Sequence, residues 1–122
     1  MSGYSINKIE ELKKLPDKWD GEHAKPVTLA ATKNAIFIAY LVSGNYIKFA
    51  QFFPLPTGGV QIEWFINENE LEIEIDENGT MFVVAVDNSD STLFEHEFEL
   101  SNIEIINKIR QEVKRLGQML SL

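Results

Sequence analysis

VQIEWFINENELEIEIDENGTMFVVAVDNSDSTLFEHEFEL, residues 60–100, decides the fold. Apolar residues recur here at every second position, and the side chains of a strand alternate between two faces. Val60, Ile62, Trp64 and Ile66 point one way, while Gln61, Glu63 and Phe65 point the other. Leu71, Ile73 and Ile75 oppose Glu70, Glu72, Glu74 and Asp76, and Phe94, His96, Phe98 and Leu100 oppose Leu93, Glu95, Glu97 and Glu99. The pattern predicts strands over 60–66, 70–76, 80–86 and 93–100, preceded by one over 46–53. The segments between them, PLPTGG, NEN, ENG and DNSDS, consist mostly of residues that set turns. Connections this short join only antiparallel neighbours, so four to five strands form a meander.

Strand 80–86, TMFVVAV, is apolar on both sides, and its register depends on the turn before it. A type I turn with Gly79 as a bulge pairs Asp76 with Thr80 and sends Met81, Val83 and Ala85 to the core. A two-residue Asn78-Gly79 turn reverses the two sets. The Asp-x-Asn-Gly run favours the bulge, which leaves Phe82, Val84 and Val86 among the carboxylates.

Helices flank the sheet. Ile6, Ile9, Leu12 and Leu15 recur at helical spacing behind Ser5, a candidate N-cap, with Glu10 and Lys14 as an ion pair and Pro16 as the stop. Thr28 caps a second helix that ends near Gly44, although Ser43-Gly44-Asn45 also suits a turn between two strands, so 35–53 is helix then strand or a hairpin. Ser101 and Glu104 form a capping box before the stripe Ile103, Ile106, Ile109, Val113 and Leu116, with Gly117 as the stop. The expected architecture is one α+β domain over residues 1–122, with two N-terminal helices and a C-terminal helix on the same face of the sheet.

Charge sharpens the picture. The 122 residues carry a net charge of −8 and no Cys. Nucleic-acid binding needs clustered Lys and Arg, and an anionic membrane surface needs the same, so neither is expected as a partner. Without Cys there is no disulfide, thiolate nucleophile or Cys-ligated metal, which suits the cytoplasm. The first fifteen residues lack a continuous apolar stretch and predict no signal peptide; the longest apolar run, 35–42, is too short to span a bilayer.

The negative charge is unevenly distributed. Residues 1–34 hold six Lys against five acids, and residues 101–122 hold four bases against two acids. Residues 35–100 hold twelve acids and a single base, Lys48. Strand alternation then collects Glu63, Glu72, Glu74, Glu95, Glu97 and Glu99 on one face with Phe65, Phe82 and Val84 among them. An apolar strip rimmed by acids suits a basic protein partner or a second copy of the chain in a homodimer. Plain solvation also explains an acidic outer face, since such charges discourage edge-to-edge aggregation.

Catalytic chemistry has little support. His96 alternates with Phe94 and Phe98 and reads as a core or sheet-edge residue. Asp20, Glu22 and His23 offer metal-ligand atoms, but adjacent loop ligands without a distant fourth make a weak metal site. Glu72 and Glu74 stand two residues apart on a strand, ~6.6 Å, without a cleft implied above them. Thr57-Gly58-Gly59 lacks the following G-K-[ST] of a phosphate loop, and no G-x-S-x-G occurs. No enzyme activity, metal or cofactor is expected.

KWDGEHAKP at 18–26, PLPTGGVQIEW at 54–64 and ELEIEIDENGT at 70–80 together resemble a widespread family of short, uncharacterised bacterial proteins. Its members share a Trp-Asp-Gly loop after an N-terminal helix, then P-x-P-x-x-G-G-V-x-x-E-W and L-E-I-E-I. Glu22 and His23 depart from the aromatic and Gly that usually follow Trp-Asp-Gly there. The resemblance implies an α+β fold and a bacterial cytoplasmic setting and carries no catalytic residue.

The expectation is therefore a small non-catalytic protein-binding module, antitoxin-, immunity- or chaperone-like, that works through its acidic sheet face. The alternative is a small-ligand or metal site where the loop meets the sheet, built from Trp19, Asp20, Glu22, His23 and Trp64 with Glu63 beside it.

Overall fold

Chain order sets the layers. In a computed structural model that describes residues 3–41, 50–66, 69–87, 89, 91–99 and 101–120, helices α1 (Gly3–Lys13) and α2 (Leu29–Leu41) come first. Strands β1 (Gln51–Pro54), β2 (Val60–Ile66), β3 (Asn69–Ile75), β4 (Met81–Val86) and β5 (Thr92–Phe98) follow, and α3 (Ile103–Leu120) closes the chain. The strands pair in sequence order, every pair antiparallel, so the meander and the α+β class are as expected. Residues 35–41 are helix, which removes the hairpin alternative for that half of 35–53. The stop near Gly44 and the first residues of the 46–53 strand lie outside the described residues.

All three helices cover one face. α2 and α3 pack on β2 and β3, and α1 packs on α2 and β1. Beneath them Phe52, Val60, Ile62, Trp64, Leu71, Ile73, Ile75, Met81, Val83 and Ala85 form the core with Ile9, Ile38 and Ile109. Small residues carry α2 close to the sheet: Ala31, Ala35 and Ala39 are all fully buried.

The turn between β3 and β4 has the bulged form. The Asp76 amide donates to the Thr80 carbonyl at 2.9 Å, the Gly79 amide donates to the Asp76 carbonyl at 3.0 Å, and Gly79 takes φ +91°. Ile75 then pairs with Met81, so Met81, Val83 and Ala85 go inward and Phe82, Val84 and Val86 outward.

Helix ends depart from expectation in places. Thr28 does cap α2, its Oγ1 accepting from the Ala31 amide at 3.1 Å. Ser5 lies inside α1 rather than before it. Asn102, not Ser101, caps α3, with Oδ1 accepting from the Ile105 amide at 3.2 Å. Ile106, Ile109 and Val113 are buried as expected, Ile105 joins them and Ile103 is exposed; the Leu116 side chain lies outside the described residues. Gly117 does not stop α3, which runs on to Leu120. Glu10 pairs with Lys13, one residue short of the Lys14 expected.

One end of the sheet is stitched to the 16–28 loop. The Lys25 amide donates to the Pro56 carbonyl and the Thr28 amide to the Gly58 carbonyl, both at 2.9 Å. Thr28 Oγ1 donates to the Glu77 carbonyl at 2.8 Å, and Asn34 Nδ2 donates to the Gly79 carbonyl at 2.7 Å. These bonds join the β1–β2 and β3–β4 turns to the start of α2.

Candidate functional site

Register places the outer face residue by residue. One row across the sheet reads Gln51, Glu63, Glu72, Val84, Glu95; the next reads Phe53, Gln61, Glu74, Phe82, Glu97. A third joins Phe65, Glu70 and Val86. Read along the strands instead, β4 presents an apolar column, Phe82, Val84 and Val86. On one side β3 supplies Glu70, Glu72 and Glu74, and on the other β5 supplies Glu95 and Glu97. Residues 50–99 contain no Lys or Arg, so no cation on these strands offsets the carboxylates.

A shallow groove of about 630 Å³ follows this column, walled by Glu72, Glu74, Glu95 and Glu97 with Phe82 and Val84 at its floor. Phe82 is 44% exposed, and Phe53, Phe65 and Leu93 are also exposed. Solvent therefore meets large apolar side chains here, where a purely solvating face needs none.

Glu72 is the most crowded of the acids. It lies half-buried, directly opposite Glu63, with Glu70 and Glu74 two residues away on its own strand. Burial and then the Glu70 carboxylate, with smaller contributions from Glu63 and Glu74, push its carboxyl above the ordinary range. A proton on Glu72 is shared with Glu70, which favours the neutral form further. Gln61 Nε2 donates to Glu63 Oε2 at 3.3 Å, giving Glu63 a neutral donor rather than a cation.

Of the residues expected on this face, the groove gathers Glu72, Glu74, Phe82, Val84, Glu95 and Glu97. Glu63 and Phe65 share the face but sit on β2, beyond the β3 carboxylates. Glu99 lies just past the end of β5. Strand β5 ends at Phe98, and the Glu99 carbonyl accepts from the Asn102 amide at 2.9 Å in the turn to α3. Glu99 borders two small depressions, one of which Glu97 also lines with Thr80, Ser101 and Asn102. Period-two reading carries the strand past its end at Phe98. Glu70 and Val86, both expected on this side, belong to the face, and so does Phe53, which was not. Alternation already signals Glu70 and Val86, whereas Phe53 follows from the pairing with Gln61.

His96 is on the helix-covered side, yet exposed, because β5 is the edge strand. Its ring lies 6.1 Å from that of Phe94, over which Lys108 Nζ sits at 5.7 Å. It is a sheet-edge His.

The 16–28 loop has a scaffold's geometry. Asp20 Oδ1 accepts from the Glu22 amide at 2.9 Å and the Ala24 amide at 3.0 Å. Those donors, aided by nearby His23, hold the Asp20 carboxyl below its usual range. Trp19 Nε1 donates to the Lys25 carbonyl at 2.9 Å, and Lys18 (φ +59°) and Gly21 (φ +82°) complete the turn. Glu22 and His23 are exposed, whereas Trp64 is fully buried, its indole N–H without an acceptor among the described residues. Trp64 therefore offers no accessible surface to a ligand at the loop. Among the described residues no three His, Asp or Glu side chains converge to hold a metal ion. Nor, among them, is any helix long and apolar enough to cross a membrane.

Comparison of the chain with protein-family models, curated proteins and solved structures finds no match.

Proposed function

We propose that this chain is a non-catalytic protein-binding module whose working surface is the outer face of the sheet. One observation supports this above the others: the exposed apolar column of β4 lies between two lines of carboxylates that no cation on the strands offsets. Apolar contact contributes affinity once water is excluded, and the surrounding charge selects the partner and speeds encounter. A second copy is the poorer occupant, because face-to-face pairing opposes carboxylate to carboxylate. A basic protein is the better one, and an antitoxin-, immunity- or chaperone-like role in the cytoplasm fits a cysteine-free acidic chain of this size.

The test is capture from a lysate by the tagged protein against its Glu72→Lys plus Glu97→Lys variant. The expected outcome is that a basic protein held by the parent is lost from the variant, whose melting curve stays cooperative. Retention of every captured protein by the folded variant removes the proposal.

A further inference from the structure

We infer that the occupant of this face is a basic amphipathic α-helix lying along β4, a reading that deepens the protein-binding proposal and rests on it. The width of the groove argues for it. The Glu70/Glu72/Glu74 and Glu95/Glu97 lines stand one strand to either side of β4. At about 4.8 Å per strand they are about 10 Å apart, close to the 10–12 Å diameter of a helix with its side chains. A helix seated on Phe82 and Val84 thus carries its flanking residues over the two acidic walls.

Length agrees as well. From Phe82 to Val86 the column runs four residues of strand, about 13 Å, or some two and a half turns of helix. Apolar residues at i, i+4 and i+7 therefore meet the column, and Lys or Arg at the flanking positions meets the walls.

Backbone chemistry disfavours a β-strand on this surface. A sheet uses its amides and carbonyls within its own plane, and β3 and β4 are paired on both edges. An extended peptide laid on the face finds no backbone partners, whereas a helix satisfies its own. A strand-forming partner has to use an edge of the sheet, β1 or β5, instead.

The charge also differs in kind from simple polycation attraction. Phe82, at 44% exposed, demands an apolar stripe as well as positive charge. Helical spacing arranges both on one face of a single short segment.

The experiment uses the full chain and two synthetic peptides of about 18 residues, roughly five turns. One carries a Leu stripe at i, i+4, i+7 flanked by Lys; the other has the same composition scrambled. Calorimetry gives affinity, and far-UV circular dichroism gives helix content on mixing. The expected result is at least about tenfold tighter binding of the amphipathic peptide, a difference of ~1.4 kcal/mol. It gains helicity when bound, and Phe82→Ser and Glu97→Gln each weaken it in proteins that still melt cooperatively.

Equal binding of both peptides overturns the helix and leaves the acidic-face proposal standing. A preference for the scrambled peptide, undisturbed by Phe82→Ser, moves the occupant off the face to an edge of the sheet and overturns it too. If neither peptide binds, the helix is overturned; the acidic-face proposal falls with it only if the Glu72→Lys plus Glu97→Lys variant keeps every captured protein. Sedimentation showing a dimer that Glu72→Lys plus Glu97→Lys dissociates assigns the face to a second copy instead.

Discussion

Glu72 concentrates the cost of the outer face. Its ionised form is disfavoured in the folded protein by burial and by Glu70, Glu63 and Glu74, while the unfolded chain relieves both. A carboxyl raised in this way binds its proton more tightly when folded, so stability falls as pH rises through the interval between the ordinary Glu value and the raised one. Glu72→Gln is therefore expected to stabilise the protein by about 0.5 kcal/mol at neutral pH, a cross-strand repulsion partly screened by solvent. The gain disappears once the pH is low enough to protonate the parent's Glu72. Urea denaturation at neutral and acid pH measures both. Gly59 is constrained from another direction, since a Cβ there collides with the Ile75 carbonyl on the neighbouring strand. Gly59→Ala has to displace the backbone of β3 and is expected to cost about 2–3 kcal/mol. An unchanged urea midpoint contradicts that. The sequence suggests glycine here for turn freedom; Gly58, at φ +104°, has that role, and Gly59 is needed for space.

Turns and caps show how one short polar residue organises an element. Asp20, Asp76 and Asp87 each accept from the amides two and four residues ahead. Each turn is thus closed by its own first side chain. Asp20 is held ionised by the Glu22 and Ala24 amides, so its contribution is complete above the ordinary Asp range and is lost as pH falls through its lowered value. Asp20→Ala is expected to lower the melting temperature at neutral pH, with the gap to the parent closing in strong acid. Thr28 works twice, accepting from Ala31 as a cap and donating to Glu77 of the β3–β4 turn. Thr28→Ala is expected to cost about 1–2 kcal/mol in denaturant, more than Thr28→Ser, which keeps both bonds. Such local devices are legible in sequence: Asp-x-Asn-Gly predicted the bulge and with it the column of Phe82 and Val84. The start of α3 was not legible to the residue. Ser101 and Asn102 are both good caps, and the packing of Ile105 rather than Ile103 selects between them. The end of β5 at Phe98 was missed for a related reason, because alternation marks a strand's faces but not its last residue.

Across the whole molecule the excess negative charge belongs to the sheet and its turns: residues 35–100 hold twelve acids and one base, while the segments before and after are slightly basic. Six of those acids, Glu63, Glu70, Glu72, Glu74, Glu95 and Glu97, share the outer face, and repulsion among them opposes folding. Raising sodium chloride from low ionic strength to about 0.5 M is expected to raise the melting temperature by screening these carboxylates. The shift shrinks in the Glu72→Gln variant. Layering was legible because period-two and helical stretches occupy separate parts of the chain. The groove was only partly so, since its walls come from β3 and β5 and its floor from β4, and register alone brings them together. That pairing in sequence order has a kinetic consequence. Each strand meets the one next to it in the chain, so every hairpin can close over a short loop with a small entropic cost. Helix α3 must instead return across the sheet to β2 and β3. Early closure of the β3–β4 hairpin predicts that Gly79→Ala, which strains a φ of +91°, chiefly slows folding. Val113→Ala, in the late-docking helix, chiefly speeds unfolding. Chevron plots for the two variants separate these arms, and the reverse assignment places the rate-limiting step at the closing helix rather than at the central turn.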